Sequence, residues 1–208
     1  MTTNDFTIRP ERPADYRTVE NLTREAFWNV YHPGCTEHYV LHRYRSREDF
    51  VPELDLVMEK DGEIIGHIMY AHAAIAADDG RAIPVMTFGP ISIAPAFQRR
   101  GYGKALLDAS MERAKALGAS VLCIEGNILF YGKSGFVPGF TRGIDHHAAP
   151  RGSEVPYFLL KELKAGFLNG VTGVFHTPDG YFTDAAEVDA FDAQFPVKQK
   201  LRLPGQLA

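Results

Sequence analysis

Between Gln98 and Lys104 the chain reads Gln-Arg-Arg-Gly-Tyr-Gly-Lys, placing three cations and two glycines in seven residues. Arg99, Arg100 and Lys104 supply full positive charge. Gly101 and Gly103 let backbone N–H groups come close to a ligand, and a helix starting here adds the partial positive charge of its N-terminus. Together these groups describe an anion cradle for a phosphate-bearing cofactor. Two common nucleotide loops fail on named positions. A Walker loop ending in Gly103-Lys104 needs glycine at 98 and a hydroxyl at 105, where the chain has Gln98 and Ala105. A dinucleotide fingerprint needs a third glycine, and Lys104, Ala105 and Leu106 follow Gly103 instead.

Other reactive side chains are scattered. His38 and His42 stand one helical turn apart, but Tyr39 fills the place where a zinc-protease helix needs glutamate, so no metal is expected. Cys35 and Cys123 are the only cysteines and define neither a disulfide framework nor a zinc site; Cys123, in the apolar run Ser-Val-Leu-Cys-Ile-Glu, reads as a buried thiol. The formal net charge of −4 argues against a general nucleic-acid surface and makes the basic loop a local exception. No apolar run approaches the length of a membrane span, and the N-terminus lacks a secretory pattern, so a cytoplasmic protein is expected.

The elements that must position the loop follow from periodicity. Val85 to Ala94 reads as a strand, Pro95 marks a turn, and Gly101 to Leu117 is patterned as a helix on which Tyr102, Leu106, Ala109 and Leu117 can share a face. Ser120 to Glu125 is the next strand. Strand, helix, strand implies a parallel right-handed crossover, and open α/β sheets bind ligands beyond the carboxyl ends of such strands. Upstream, Phe6 to Arg9 is a strand, Tyr16 to about Tyr31 and Thr36 to Arg45 are helices, and Leu54 to Glu59 pairs through an Asp61-Gly62 hairpin with Glu63 to about Ile75. These give an antiparallel meander, hence an α/β chain with a mixed sheet. Downstream come a short helix from Asn127 to Ser134, strands at Phe136 to Phe140 and Tyr157 to Glu162 around a turn-rich stretch from Gly143 to Gly152, and a strand at Val171 to Phe175. A last helix runs to about Phe195, with Asp184 and Glu187 as its capping box.

The run Gln98 to Ala105 resembles the pyrophosphate loop of the GCN5-related N-acetyltransferases, matching it at Gln98, Gly101 and Gly103. The preceding Gly-Pro-Ile-Ser-Ile-Ala-Pro-Ala-Phe-Gln and the segment from Asn127 to Phe136 are similar to that family as well. The resemblance covers about residues 6 to 162. It implies a catalytic domain over 1–164, with 165–208 as an extension packed on it that acts as a lid or a dimer contact.

What the resemblance implies about chemistry is specific. Acetyl-CoA is the co-substrate: its pyrophosphate accepts hydrogen bonds from the backbone across Arg99 to Lys104, and its pantetheine arm pairs with the strand edge at Ile91 and Ile93. The Ile93 N–H then stabilises the oxyanion formed as an amine attacks the thioester. Tyr131 corresponds to the tyrosine that protonates the departing thiolate, and Asn127 to the asparagine that bonds the pantetheine, although it equally suits a helix N-cap. The strand from Met86 to Ala94 lacks the glutamate that some members use as general base; Glu125 is the best remaining candidate, with Ser92 weaker. His67 and His72 could reach the acceptor pocket, and His146-His147 could contribute to it from a turn. The first two helices, with Phe27, Trp28, Tyr31 and Tyr39, border that pocket. The acceptor is an amine of a small molecule or peptide. The missing strand glutamate also motivates an alternative, a sensor that binds acyl-CoA without turnover.

Overall fold

A computed structural model describes residues 5–206. The chain divides into two compact units that share strands β3 and β4 and helix α3. The first unit runs to Met69 and takes in Pro90–Leu106 and the residues from Asp179 onward; the second holds Tyr70–Gly89 and Leu107–Pro178.

In the first unit, β1 (Thr7–Pro10) pairs antiparallel with β2 (Leu56–Lys60), from Thr7↔Glu59 to Pro10↔Leu56. β2 pairs with β3 (Glu63–Ala77) through the expected two-residue turn, in which Asp61 and Gly62 have φ of 51° and 84°. Positive φ at both central residues is the geometry that matches the right-handed twist of paired strands. β4 (Ala82–Ile93) lies next to β3. Helix α1 (Tyr16–Phe27) buries Val19 and Leu22, and α2 (Glu37–Tyr44) buries Val40 and Leu41. α1 stops four residues before the position that its apolar spacing predicts, because Trp28 leaves the helical region at ψ 120° and Asn29 adopts a left-handed φ of 58°. Two Asn29 groups are then used locally: its N–H donates to Gly34 and its Oδ1 accepts from the Gly34 amide, both at 2.8 Å.

The end of the chain returns to this unit. α5 (Ala185–Asp192) is capped by Asp184, whose Oδ1 accepts from the amides of Ala186 and Glu187 at 2.8 and 3.2 Å, while Glu187, the expected second half of a capping box, accepts from the Tyr39 hydroxyl at 3.0 Å. Arg24 of α1, 1% exposed, donates from Nε and Nη2 to Asp192 at 2.5 and 3.2 Å. Beyond α5, the Gln199 carbonyl accepts from Trp28 Nε1 and Asn29 Nδ2, each at 3.1 Å.

The second unit contains the parallel crossover. α3 (Tyr102–Ala116) leads to β5 (Val121–Glu125), which pairs parallel with β4 at Met86↔Leu122 and antiparallel with β8 (Phe158–Glu162) along Val121↔Glu162 to Glu125↔Phe158. β6 is only Val137–Pro138, shorter than the predicted strand, and pairs with β8. The buried side of α3 only partly matches the predicted face: Leu106 is buried as expected, but Leu107, Ser110, Met111 and Ala114 are buried with it, whereas Leu117 is half exposed. Ser110 explains the shift, since its hydroxyl bonds the Tyr70 hydroxyl at 2.7 Å and the Leu107 carbonyl at 2.8 Å, which lets a polar residue sit in the core. The stretch read as turns from Gly143 to Gly152 contains a strand, β7 (Ile144–His146), parallel to β9 (Gly173–Phe175), which in turn pairs antiparallel with β3 at Ile75↔Phe175. Ile75, Cys123, Phe158, Leu160 and Phe175 lie in one apolar cluster of this unit. Among the described residues no helix is long and apolar enough to cross a membrane.

Candidate active site

In the first unit, β4 ends at Ile93 and a 3-10 turn at Pro95–Phe97 redirects the chain, with the Phe97 N–H donating to the Ala94 carbonyl at 2.8 Å. Gln98 is extended, and its Nε2 donates to the Ile93 carbonyl at 3.0 Å. Its side chain therefore ties the loop to the strand. Arg99 is left-handed at φ 61° and Gly101 at φ 90°, with Arg100 between them outside that region. Such alternation turns successive N–H groups into one concavity, a form that binds anions. Arg99 pays a steric penalty of about 1–3 kcal/mol for the conformation. Gly101 does not, and no atom lies within 4 Å of where its Cβ would be, so backbone shape rather than packing demands glycine there. Gly103 is different: it is the second residue of α3 and lacks a positive φ, so the backbone there does not demand glycine. The side chains of Arg99, Arg100 and Lys104 are exposed; the Arg100 guanidinium stands 5.9 Å from the Phe97 ring centroid. Tyr102 packs edge-on to Phe97 and donates from its hydroxyl to Asp5 at 3.3 Å, fixing the start of α3. Ile93 is buried and Ile91 half-buried in the preceding strand.

In the second unit, a carboxylate ends β5 at Glu125 and a tyrosine ends the short helix that follows, at Tyr131. Asn127 is the N-cap of α4 (Ile128–Tyr131), its Oδ1 accepting from the Leu129 amide at 2.9 Å, so the capping role is realised. A bond to a pantetheine arm would use its Nδ2 amide. Tyr131 lies among Phe130, Phe136 and Phe88, with ring centroids 4.8, 5.7 and 5.8 Å away. Its ring also lies directly over Gly126: a Cβ on Gly126 would fall 2.3 Å from Tyr131 Cε2. Glu125 Oε1 accepts from the Thr177 hydroxyl at 2.6 Å and from His146 Nε2 at 3.3 Å. The His146 bond, followed by that of Thr177, holds the Glu125 carboxyl below the usual carboxylate range despite partial burial. That direction weakens it as a general base, the role for which the sequence singled it out.

His146 is not on a turn but buried in β7, 3% exposed. Its Nδ1 accepts from the Ala148 N–H at 3.3 Å, which places the proton on Nε2, facing Glu125. His147 packs against His146 and His176 at centroid distances of 4.7 and 5.4 Å; burial, then the charge of these two neighbours, pushes its pKa below the ordinary histidine value. Thr177 and His176 were not predicted as site residues. No local signal marks them, because only the pairing of β9 with β3 and β7 brings them to Glu125.

Other candidates go elsewhere. Ser92 is buried, its hydroxyl bonded to Thr23 Oγ1 at 2.8 Å. His67 is fully buried, with Nε2 2.7 Å from Asp55 Oδ1, beside Glu11, whose carboxyl oxygens accept from Arg45 at 2.8 and 3.0 Å. It therefore belongs to an internal hydrogen-bond network rather than an open pocket. Among the described residues, Glu11, Asp55 and His67 are the group whose ligand atoms lie within 4.8 Å of one another, and the Arg45 guanidinium already engages both Glu11 oxygens. His38 is buried against Asp192, Phe191 and Phe195, and His42 bonds Glu20 at 2.8 Å.

The loop geometry and the order of elements agree with comparison to known proteins. The model of the GNAT acetyltransferase family matches residues 22–136. The chain belongs to the GNAT acetyltransferase family. It is 25% identical over 166 residues to the uncharacterized N-acetyltransferase YjhQ of Escherichia coli K12, covering 79% of this chain and 83% of that protein. The fold is similar to that of the GNAT family N-acetyltransferase YhbS of Escherichia coli, solved in complex with CoA, with a TM-score of 0.73, 20% identity and coverage of 85% of this chain and 92% of that one. A GNAT acetyltransferase from Brucella melitensis, solved with acetyl-CoA, superposes with a TM-score of 0.67 at 22% identity, covering 85% and 98%. The mixed α/β sheet, with its antiparallel meander and parallel crossover, is thus the GNAT fold.

Proposed function

We propose that this GNAT protein transfers an acetyl group from acetyl-CoA to an amine of a small molecule or peptide by direct attack on the thioester. The observation that carries this reading is the loop from Gln98 to Gly101, where left-handed residues at 99 and 101 and the start of α3 present backbone donors to an anion. The co-substrate supplies the activated acetyl group. Backbone N–H groups from Arg99 to Lys104 hold its pyrophosphate, Gln98 braces the loop, and the exposed cations of Arg99, Arg100 and Lys104 add long-range attraction. Ile91 and Ile93 offer main-chain groups to the pantetheine, the Ile93 N–H faces the developing oxyanion, and Asn127 Nδ2 bonds the arm. Tyr131, protonated at neutral pH and set in an apolar ring of phenylalanines, gives its proton to the leaving thiolate.

The domain over 1–164 carries this chemistry, and the extension over 165–208 serves the acceptor side. Support for a lid rather than a dimer contact is that Gln199 and Leu201 bond Trp28 and Asn29 at the end of α1. Two buried, unbridged cysteines suit a reducing cytoplasmic setting. Titration calorimetry with acetyl-CoA, then thiol release across a panel of alkylamines, arylamines and peptide N-termini, tests the reading. Binding in the micromolar range with turnover of some amines is expected. No binding at millimolar acetyl-CoA, or binding without turnover of any amine, overturns it.

A further inference from the structure

The acetyl-transfer reading leaves the acceptor's charge state open, and the cluster at the end of β5 addresses it; the inference therefore rests on that reading. We propose that Glu125 anchors the ammonium group of a cationic amine acceptor, and that His147, backed by His176, takes the proton this group must lose before it attacks.

Glu125 is built to hold a positive charge in one place. Its Oε1 is fixed by Thr177 and His146, yet the side chain remains 43% exposed. The residue that follows, Gly126, carries the Tyr131 ring against it, so the proposed acid, six residues further on, folds back beside the backbone that bears the carboxylate. An ionised carboxylate attracts an ammonium strongly but accepts its proton poorly. His146 cannot serve as that acceptor, because Nδ1 receives the Ala148 N–H and Nε2 donates to Glu125. His147 is the next imidazole outward. Glu125 from β5, His146 from β7 and His176 after β9 are the titratable groups that act on it, and burial with the two histidines favours its neutral form. His176 is exposed and adjoins it, giving the proton a way to solvent.

The step balances. One proton passes from the ammonium nitrogen to His147, and the freed lone pair forms a bond to the acetyl carbon. The carbon–sulfur bond breaks, sulfur takes the Tyr131 hydroxyl proton, and the second nitrogen proton restores Tyr131. Ammonium and thioester become amide, thiol and one proton released through His176.

The test compares two acceptors from the panel at about pH 7.5: phenethylamine, an ammonium ion there, and aniline, which is neutral. Glu125→Gln should raise KM for phenethylamine about tenfold or more, with acetyl-CoA affinity and aniline turnover unchanged. His147→Gln should lower kcat/KM for phenethylamine by about a hundredfold and move the acidic limb of its pH profile, again sparing aniline. Should Glu125→Gln fail to fold, Thr177→Val releases the carboxylate and should show the same selectivity at smaller size. Equal losses on both amines would mark the cluster as structural and overturn the assignment while acetyl transfer stands, as would unchanged kinetics in both variants or a wild type that uses only aniline. A wild type that acetylates neither amine nor any other panel member overturns the acetyl-transfer reading and this inference with it.

Discussion

A single methyl group added at Gly126 tests the role of Tyr131 without touching its hydroxyl. In Gly126→Ala the new Cβ would lie 2.3 Å from Tyr131 Cε2 and 2.8 Å from Cδ2. Carbon atoms prefer roughly 3.5–4.0 Å, so the ring must move by about 1 Å or more. Phe130, Phe136 and Phe88 surround it with centroids 4.8 to 5.8 Å away, which blocks a simple rotation. Overpacking of this kind costs about 1–3 kcal/mol. In a chain of this length each kcal/mol lowers Tm by roughly 2–4 °C, so the variant should stay folded at assay temperature. The functional loss is larger, because displacing a catalytic group by 1 Å costs about a hundredfold in rate. Thiol release at saturating acetyl-CoA should therefore show kcat reduced by about that factor, with the acetyl-CoA Kd from calorimetry unchanged. Tyr131→Phe sets the reference. If Gly126 acts only by placing the hydroxyl, Gly126→Ala/Tyr131→Phe will be no slower than Tyr131→Phe alone. Unchanged kcat in Gly126→Ala, or losses that multiply in the double variant, would refute the assignment of Tyr131 as the acid.

Three further perturbations probe the other parts. Gly101→Ala has open space around its Cβ, so its penalty is backbone strain of about 1–2 kcal/mol; calorimetry should show acetyl-CoA binding weakened about tenfold with kcat at saturation preserved. Asp192→Ala strands the buried Arg24 guanidinium and should destabilise by about 3–5 kcal/mol, a Tm drop of roughly 6–20 °C by calorimetric scan. Burial, then the adjoining Asp55 carboxyl, raises Glu11 from 4.5 to about 8, so the folded state keeps a proton that the unfolded chain has lost; this stability is complete below 4.5 and disappears as pH rises through 8. His67, lowered from 6.5 to about 4 by burial, acts oppositely but only below 6.5. Urea unfolding between those upper bounds should thus show wild-type stability falling by about 1 kcal/mol, and Glu11→Gln should be flat across the same window.

The loop that leads into α3 was legible because its determinants are contiguous. A strand end, Pro95, two glycines and a helix start occupy one short run, and each dictates its own backbone state. Even there the division of labour was hidden. Gln98 donates to the Ile93 carbonyl, and Arg99, a residue with no intrinsic preference for it, takes the left-handed conformation that glycine would signal. Helix boundaries moved where tertiary bonds overrode periodicity, as at Asn29 and Ser110. β7 escaped notice because three residues, Ile144 to His146, are too few to show alternation, and their pairing partner lies near residue 174.

The same contrast bears on how such a protein evolves or can be re-engineered. Under the proposed function, donor recognition through backbone amides depends on φ and ψ, so side-chain change at Arg99 and Arg100 should cost less acetyl-CoA affinity than a Cβ at Gly101. The carboxylate cluster depends on side chains from Glu125, His146 and Thr177, each on a different segment and each held by a hydrogen bond that one substitution removes. β7 and β9 are three-residue strands paired with each other, and between them lies β8, the antiparallel partner of β5, so the stretches 147–157 and 163–172 can change with β8 kept. Exchanges within those two stretches should therefore alter which amine is used while leaving the affinity for acetyl-CoA in place. Chimeras carrying a relative's segments there would show this as a changed amine profile at constant Kd. A chimera that lost acetyl-CoA binding would show instead that these stretches support the donor as well.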